Sequence, residues 1–195
     1  MRGMTEPDTP SLRARSGARV IGIVGWKNSG KTTLVERLIA ELSRRGLRIA
    51  SIKHAHHSFD IDHAGTDSDR HRRAGAGEVL VISRRRWAMI GELDGIPEPP
   101  LTEVLGWFSH ADLILVEGYK SEPIPKIEVR RTGASHGPPL TGTDPQVIAV
   151  AADSSAETHG RPLLALDDFA AIADFIMAWA GLRSTGAVAG GRDRR

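Results

Sequence analysis

GWKNSGKT, residues 25–32, fits the pattern G-x-x-x-x-G-K-[ST] of phosphate-binding loops at every fixed position. The β-branched run Arg19–Val24 precedes it and predicts a strand, whereas Lys31–Arg45 carries apolar residues at helical spacing. A strand that enters the loop and a helix that leaves it are the context in which this pattern binds phosphate. The sequence therefore predicts a nucleotide phosphate site, and the alternative is a glycine-rich turn that matches by chance.

The chemistry of this loop assigns roles to its residues. Glycines let the backbone wrap tightly, so that successive N–H groups point at a phosphate, and the helix N-terminus adds a partial positive charge. Lys31 is expected to reach the β- and γ-phosphates, the Thr32 hydroxyl to bind Mg²⁺, and Thr33 to lie near the α-phosphate. The predicted nucleotide-binding residues here are Gly25, Trp26, Lys27, Asn28, Ser29, Gly30, Lys31, Thr32 and Thr33.

A second acid is expected to organise the metal, and the segment DLILVEG, residues 112–118, supplies one. Glu117 follows four apolar residues, which predicts that it emerges at the carboxyl edge of a buried strand, where phosphate loops also emerge. We therefore predict that Glu117 holds Mg²⁺ directly or through water. The alternative is an ordinary solvated carboxylate at the end of a strand.

Histidine is concentrated after the second predicted strand, since five of the eight histidines lie within residues 54–71. His54 and His56 would share one face if that strand continued, and two imidazoles at this spacing can bind a transition metal. No fixed third ligand is evident, although Asp60, Asp62 and Asp67 lie nearby, so we favour a loop that faces an anion or a substrate. The three aspartates could instead orient water around Mg²⁺.

Length and composition restrict the classes of protein that remain. The 195 residues suit one domain, with a disordered leader over 1–18, a folded nucleotide-binding domain over 19–183 and a disordered tail over 184–195. Cysteine is absent, which excludes disulfides, cysteine-ligated metals and a cysteine nucleophile. No apolar run approaches the ~18 residues of a membrane span and no secretory signal is visible, so a cytoplasmic protein is expected. Aromatic residues make up 5%, which argues against a base-stacking nucleic-acid surface.

Strand and helix patterns alternate along the folded region. Further strands are predicted at Leu47–Ile52, Asp112–Val116, Pro125–Arg130 and Gln146–Ala151. Further helices are predicted at Thr66–Ala76 and Leu101–Ser109, and a last helix, capped by Asp167 or Asp168, is predicted to run to about Ala180. Val79–Ser83 and Trp87–Leu93 are typical of two strands joined by a turn. The pattern indicates an α/β P-loop NTPase fold, with a mainly parallel sheet, helices on both faces and an inserted antiparallel strand pair.

Three ordered blocks resemble a known family. GWKNSGKTTL, IKHAHHSFDIDHAGTDSDRHRRAGA and DLILVEGYKSEPIPKIEVRR are similar to the molybdopterin-guanine dinucleotide biosynthesis adaptor (MobB) family, over about residues 19–153. The resemblance implies a P-loop fold of the dethiobiotin synthetase-like group, GTP binding with Mg²⁺, weak hydrolysis and a homodimer. It also implies that the chain assists the MobA guanylyltransferase, which joins GMP to molybdopterin.

The resemblance further implies which residues function. It assigns the GTP phosphates to Gly25–Thr33 and puts Glu117 and Gly118 in the second nucleotide motif. It marks a functional loop without an assigned role, made of Lys53, His54, His56, Asp60, Asp62, Asp67, Ser68 and Arg70. The strands within residues 79–93 are expected at the dimer interface. No Asn-Lys-x-Asp guanine motif is present, so Asp153 is the candidate for reading the base.

The leading hypothesis is a GTP-binding adaptor with at most slow Mg²⁺-dependent GTPase activity, because no strong water-activating base or arginine finger stands out. Molybdopterin itself is a further candidate ligand, and no membrane or nucleic-acid partner is expected. Two alternatives stay open. One is a small-molecule kinase with Asp60 or Asp62 as its base, and the other is a metal-delivery GTPase that uses the histidine cluster.

Overall fold

The computed structural model describes residues 17–55, 59–134 and 137–184. The predicted leader up to residue 16, the predicted tail from residue 185, and His56 lie outside these ranges. The described residues form two compact units, one made of the residues up to His54 and from Leu101 onward, the other Ala55–Pro100. In the described ranges, no helix has the length and apolar character that a membrane crossing requires.

The elements of the described ranges are numbered in chain order. The strands are β1 Arg19–Gly25, β2 Ile49–Lys53, β3 Glu78–Ile82, β4 Trp87–Gly91, β5 Leu113–Glu117, β6 Lys126–Arg130, β7 Val147–Ala152 and β8 Leu163–Ala165. The helices are α1 Lys31–Arg44, α2 Asp67–Arg73, α3 Leu101–Val104 and α4 Phe169–Ala180. Six strands of the first unit form one parallel sheet in the order β2-β5-β1-β6-β7-β8. The segments that follow β1, β5 and β6 therefore emerge side by side at the carboxyl edge.

Helices cover both faces of this sheet with apolar side chains. On one face, Leu38 of α1 and Ile172 of α4 are buried in the same cluster as Ile23 of β1. On the other face, Leu101 of α3 is buried in a second cluster with Ile114 of β5. Burial of each such side chain contributes roughly 1.5–3 kcal/mol, which holds the strand ends in a fixed frame. The predicted parallel sheet with helices on both faces is confirmed.

Two local features differ from the sequence-based expectation. One helix is predicted over Leu101–Ser109, but α3 ends at Val104 and continues as a 3₁₀ turn over Leu105–Trp107. Gly106 disfavours helix, and Phe108 is extended with φ −97° and ψ 116°, so the helical geometry stops there. β8 is not predicted, because its three residues are too few to show a strand period.

The second unit contains a short helix followed by a two-stranded antiparallel sheet. Thr66 caps α2, since its hydroxyl accepts a hydrogen bond from the backbone N–H of Asp69 at 3.3 Å. β3 and β4 pair antiparallel, and the Ser83 N–H closes their turn by donating to the Arg86 carbonyl at 2.9 Å. The predicted hairpin is confirmed.

Candidate nucleotide-binding site

The phosphate loop connects the end of β1 to the start of α1. Gly25 has φ 154°, and a β-carbon there would lie 2.5 Å from the Val129 carbonyl oxygen and 2.8 Å from the Ser29 hydroxyl. Only glycine fits this close approach, which lets the chain turn sharply out of the sheet. The first N–H groups of α1 have no partners within the helix and are directed at the mouth of the loop, where an anion is favoured.

Lys31 folds back over this loop. Its ammonium donates a hydrogen bond to the Trp26 carbonyl at 2.8 Å. Burial lowers the pKa of Lys31 below its usual value; the charge of Glu117 opposes this shift, and the positive charges of Lys120 and Lys53 add to it. A partly desolvated cation with other cations around it is strongly stabilised by an anionic ligand.

Thr32 and Glu117, the two predicted magnesium-binding residues, lie side by side. The Thr32 hydroxyl donates to Glu117 Oε1 at 2.6 Å, and the sheet aligns Glu117 with Ile23 of β1 and Lys53 of β2. Lys53 Nζ lies 3.3 Å from the same hydroxyl oxygen and 3.5 Å from the same carboxylate oxygen. Hydroxyl and carboxylate oxygens are ligands that Mg²⁺ prefers, so this pair fits that metal.

The turn after β5 is strained and packs against the end of β2. Gly118 has φ 96°, and Tyr119, which carries a side chain, has φ 51°. Tyr119 stacks on His54 with the ring centroids 4.4 Å apart, and the His54 N–H donates to the Glu117 carbonyl at 2.9 Å. Gly118 adopts its positive φ without strain, whereas the left-handed conformation of Tyr119 costs energy, and contacts with His54 help to hold it.

Lys120 follows this turn, and sequence reasoning did not select it. Its ammonium lies 3.9 Å from the centroid of the Trp26 ring, which is a cation–π contact. Its backbone carbonyl accepts a hydrogen bond of 2.8 Å from the ammonium of Lys126, which also pairs with Asp144 at 2.6 Å. The signal that could have found Lys120 is the scarcity of lysine in this chain.

A cavity of about 430 Å³ opens beside the loop, at the ends of β6 and β7. Small-molecule sites have volumes of this size. Its wall includes Trp26, whose Nε1 donates to the Pro138 carbonyl at 3.2 Å, and Gly137, where a β-carbon would lie 2.2 Å from the indole ring. The Ser29 hydroxyl also lines the cavity, is buried, and has no hydrogen-bond partner among the described residues. A buried polar atom left in this state indicates a place for a ligand.

Asp153, the candidate for reading the base, lines the same cavity. Its carboxylate accepts the Thr132 N–H at 2.9 and 3.0 Å and the Thr132 hydroxyl at 3.0 Å. The Thr132 N–H is the main cause that holds the pKa of Asp153 below its usual value. Because an ionised carboxylate has about four acceptor positions, these bonds leave Asp153 little capacity to accept hydrogen bonds from a nucleotide base.

Several residues of the predicted functional loop belong to the second unit, where they surround Arg72. Its guanidinium lies 3.1 Å from Asp60, 3.4 Å from Asp62 and 2.7 Å from Glu92. Asp62 also accepts the Ser68 hydroxyl at 2.8 Å. Arg72 and Glu92 are not among the predicted site residues, because an arginine in a charged run is as typical of a solvated surface as of a binding site.

The pKa values of both aspartates in this network are low. The backbone N–H of Asp62 is the first cause for Asp60, and the Ser68 hydroxyl is the first cause for Asp62. Both carboxylates are therefore ionised at neutral pH and are weak proton acceptors.

The remaining residues of the predicted loop lie elsewhere. Asp67 and Arg70 form an exposed pair 3.6 Å apart in the second unit, whereas Lys53 and His54 belong to the first unit. The eight predicted residues thus do not form a single cluster within either unit. Across residues 17–55, 59–134 and 137–184, no group of three histidine or acidic side chains could hold a metal ion, and His56 lies outside these ranges.

Comparison with known proteins finds relatives along most of this chain. The family described as MobB, molybdopterin guanine dinucleotide synthesis protein B, matches residues 20–153. The molybdopterin-guanine dinucleotide biosynthesis adapter protein of Escherichia coli (strain K12) is 41% identical over 162 residues, which cover 82% of this chain and 92% of that protein. The corresponding protein of Haemophilus influenzae is 42% identical, with 82% and 88% covered. The crystal structure of Bacillus subtilis MobB has a TM-score of 0.63 at 25% identity and covers 82% of this chain and 96% of its own. The chain therefore belongs to the MobB family of molybdopterin-guanine dinucleotide synthesis proteins.

Proposed function

We propose that this chain is a GTP-binding adaptor that assists a MobA-type guanylyltransferase in joining GMP to molybdopterin, with at most slow Mg²⁺-dependent GTPase activity. Family membership supports the adaptor role, since the E. coli and H. influenzae relatives are adapter proteins of molybdopterin-guanine dinucleotide biosynthesis. The phosphate loop and its surrounding charges support the nucleotide.

The observation that carries the proposal is the 2.6 Å hydrogen bond between the Thr32 hydroxyl and Glu117. The hydroxyl proton is committed to Glu117, which leaves the lone pairs of the oxygen for Mg²⁺ once Lys53 withdraws. Lys31 and the loop N–H groups would hold the β- and γ-phosphates. Mg²⁺, when bound, neutralises phosphate charge and orients the terminal phosphate. A structural loop needs no such combination of cation, hydroxyl and carboxylate.

We expect slow hydrolysis, because Glu117 is committed to Thr32 and no strong water-activating base stands out in the described first unit. Asp60 and Asp62, the bases considered for a small-molecule kinase, have low pKa values and lie against Arg72. The kinase is therefore the weaker hypothesis, and release of phosphate without a phosphorylated product would discard it. Calorimetry with nickel and zinc tests the metal-delivery alternative, which predicts binding.

We propose further that the guanine base enters the cavity beside Trp26. The unpartnered Ser29 hydroxyl can donate or accept a hydrogen bond, and Asp153 retains about one acceptor position. Guanine presents N–H donors that the Asp153 carboxylate can accept, and both donors and acceptors that the Ser29 hydroxyl can pair with. Molybdopterin is the second candidate ligand, and competition of each compound with GTP would distinguish them.

A homodimer formed through the hairpin is a further part of the proposal. Leu80 stands opposite Met89 and Ile82 opposite Trp87, so four large apolar side chains share one face. These side chains are 59%, 55%, 73% and 66% exposed, respectively. A contiguous exposed apolar face of this kind is typical of a protein interface. Ile82→Lys should convert dimer to monomer in light scattering and leave GTP affinity unchanged.

Reconstituted guanylyl transfer tests the adaptor role. Purified guanylyltransferase, molybdopterin and Mg²⁺-GTP should form the dinucleotide faster when the wild-type chain is added. Lys31→Ala should not stimulate the reaction, whereas Arg37→Met, which removes an exposed cation of α1, should stimulate it fully. No stimulation by the wild-type chain would contradict the adaptor role. Full stimulation by Lys31→Ala would show that the adaptor role does not require GTP binding by this chain.

A further inference from the structure

Lysine is scarce in this chain, and its few copies collect at one place. Of 26 lysine and arginine residues, five are lysine: Lys27, Lys31, Lys53, Lys120 and Lys126. Two lie in the phosphate loop, one contacts Thr32, one lies on Trp26, and the last donates to the carbonyl of Lys120. A composition that favours arginine does not explain why the remaining lysines surround a single loop.

Lys120 is held in place from both ends. Its carbonyl is fixed by Lys126, which is 1% exposed and paired with Asp144. Its ammonium lies 3.9 Å from the Trp26 ring centroid and forms no ion pair with a carboxylate of the described residues. A cation–π contact is weaker than a phosphate contact, so the ammonium can exchange this ring for an anion.

Two ammonium groups contact the same loop residue, Trp26. Lys31 donates to the carbonyl of Trp26, while Lys120 lies on its ring. The positive charge of Lys120 is one of the causes that lower the pKa of Lys31, so the two groups are within electrostatic reach of each other. Since both ammonium groups contact Trp26 and Lys31 is expected at the β- and γ-phosphates, we expect Lys120 to be within reach of the same phosphates.

We propose that Lys120 is a second phosphate-binding lysine, which contacts the terminal phosphate of GTP and makes the site prefer GTP over GDP. This inference rests on the proposed GTP binding. A compact ammonium on a flexible stem suits a point contact with one phosphate. Lys120 would supply positive charge to the terminal phosphate from within the chain, but it would not supply the water-activating base that fast hydrolysis also requires.

The test compares GTP with GDP in the full-length chain, by calorimetry with Mg²⁺. Lys120→Met keeps the apolar stem on Trp26 and removes the charge. It should weaken GTP binding about 10- to 100-fold and change GDP binding less than about twofold. Lys120→Arg should recover most of the GTP affinity. Arg37→Met is the matched control. The guanidinium of Arg37, on α1, lies 5.9 Å from the ring centroid of Phe169, on α4, so this substitution also removes a cation–π contact, but one away from the loop.

Two results would overturn the inference while GTP binding stands. Equal losses of affinity for GTP and GDP would show that Lys120 only stabilises the loop. An unchanged affinity for both nucleotides would show that Lys120 does not contact the ligand. If Lys120→Met does not fold, as judged by its thermal unfolding, Lys120→Gln decides by the same ratio of affinities. Failure of the wild-type chain to bind either nucleotide would overturn the proposed function together with this inference.

Discussion

The Thr32 hydroxyl donates a hydrogen bond of 2.6 Å to Glu117, across 85 positions of sequence. The parallel pairing of β1 with β5 aligns Ile23 with Glu117 and so brings the carboxylate to the start of α1. Both residues are held by elements whose apolar side chains are buried, which means that the oxygen pair exists before any ligand arrives. The metal half of the proposed site is therefore preorganised.

Glu117→Gln should weaken Mg²⁺ binding to the GTP-bound protein about 10- to 100-fold, because residues that orient a metal ligand have effects of this size. GTP affinity in EDTA should change little. A Mg²⁺ titration of the GTP complex, followed by calorimetry, measures the effect. Glu36→Gln, which removes an exposed carboxylate of α1, is the control. An unchanged Mg²⁺ midpoint in Glu117→Gln would exclude this residue from the metal site.

Lys53→Met should make GTP binding depend more strongly on Mg²⁺. Lys53 Nζ lies 3.3 Å from the Thr32 hydroxyl oxygen and 3.5 Å from Glu117, so its charge partly replaces that of the metal. The side chain is 60% exposed, so the effect should be several-fold and not larger. The measured quantity is the ratio of GTP affinity in Mg²⁺ to GTP affinity in EDTA. A ratio equal to that of the wild-type chain would contradict the overlap of Lys53 with the metal position.

GTP binding should take up a proton at alkaline pH. Burial lowers the pKa of Lys31 in the free protein, and bound phosphates, which favour the ammonium, should raise it. At a pH between these two pKa values, Lys31 is deprotonated in the free protein and protonated in the complex, so binding takes up a proton. GTP affinity therefore falls as pH rises through the pKa of Lys31 in the free protein. Calorimetry in two buffers with different ionisation enthalpies detects the proton. Lys31→Arg, which does not titrate there, is the control, and equal heats for wild type in both buffers would contradict the assignment.

Loss of Asp144 should destabilise the fold more than loss of its partner. Lys126 is 1% exposed, so Asp144→Ala leaves a buried ammonium without its carboxylate and should lower the free energy of unfolding by about 3–5 kcal/mol. Lys126→Met keeps the buried stem and leaves Asp144, whose side chain is 19% exposed, in reach of water. Its cost should therefore be smaller. Urea denaturation of the nucleotide-free protein measures both, and equal losses would contradict the predicted difference between the two partners.

The parts of the fold that could be predicted from the sequence depend on local patterns. The run before Gly25 and the helical spacing after Lys31 predict β1 and α1, and the edge rule for parallel strands predicts that Glu117 approaches the loop. To predict these features, it is enough to recognise the strands and the helix and to know the direction in which each strand runs.

The parts that could not be predicted depend on contacts between distant loops. Lys120 was missed because its contact with the ring of Trp26 joins two distant loops, and Arg72 because its carboxylate partners come both before and after α2 in the chain. Asp153 was correctly expected after a strand, but only the structure reveals that Thr132 occupies most of the acceptor positions of its carboxylate. Sequence spacing carries no information on such pairings.

Calorimetric titration of the purified chain with GTP and ATP in the presence of Mg²⁺, beside Lys31→Ala, is the most direct measurement of phosphate binding by this loop. We expect one site per chain, tighter binding of GTP than of ATP, and no measurable binding by Lys31→Ala despite an unchanged unfolding temperature. No heat with either triphosphate, or equal binding by the Lys31→Ala chain, would contradict nucleotide binding at residues 25–33.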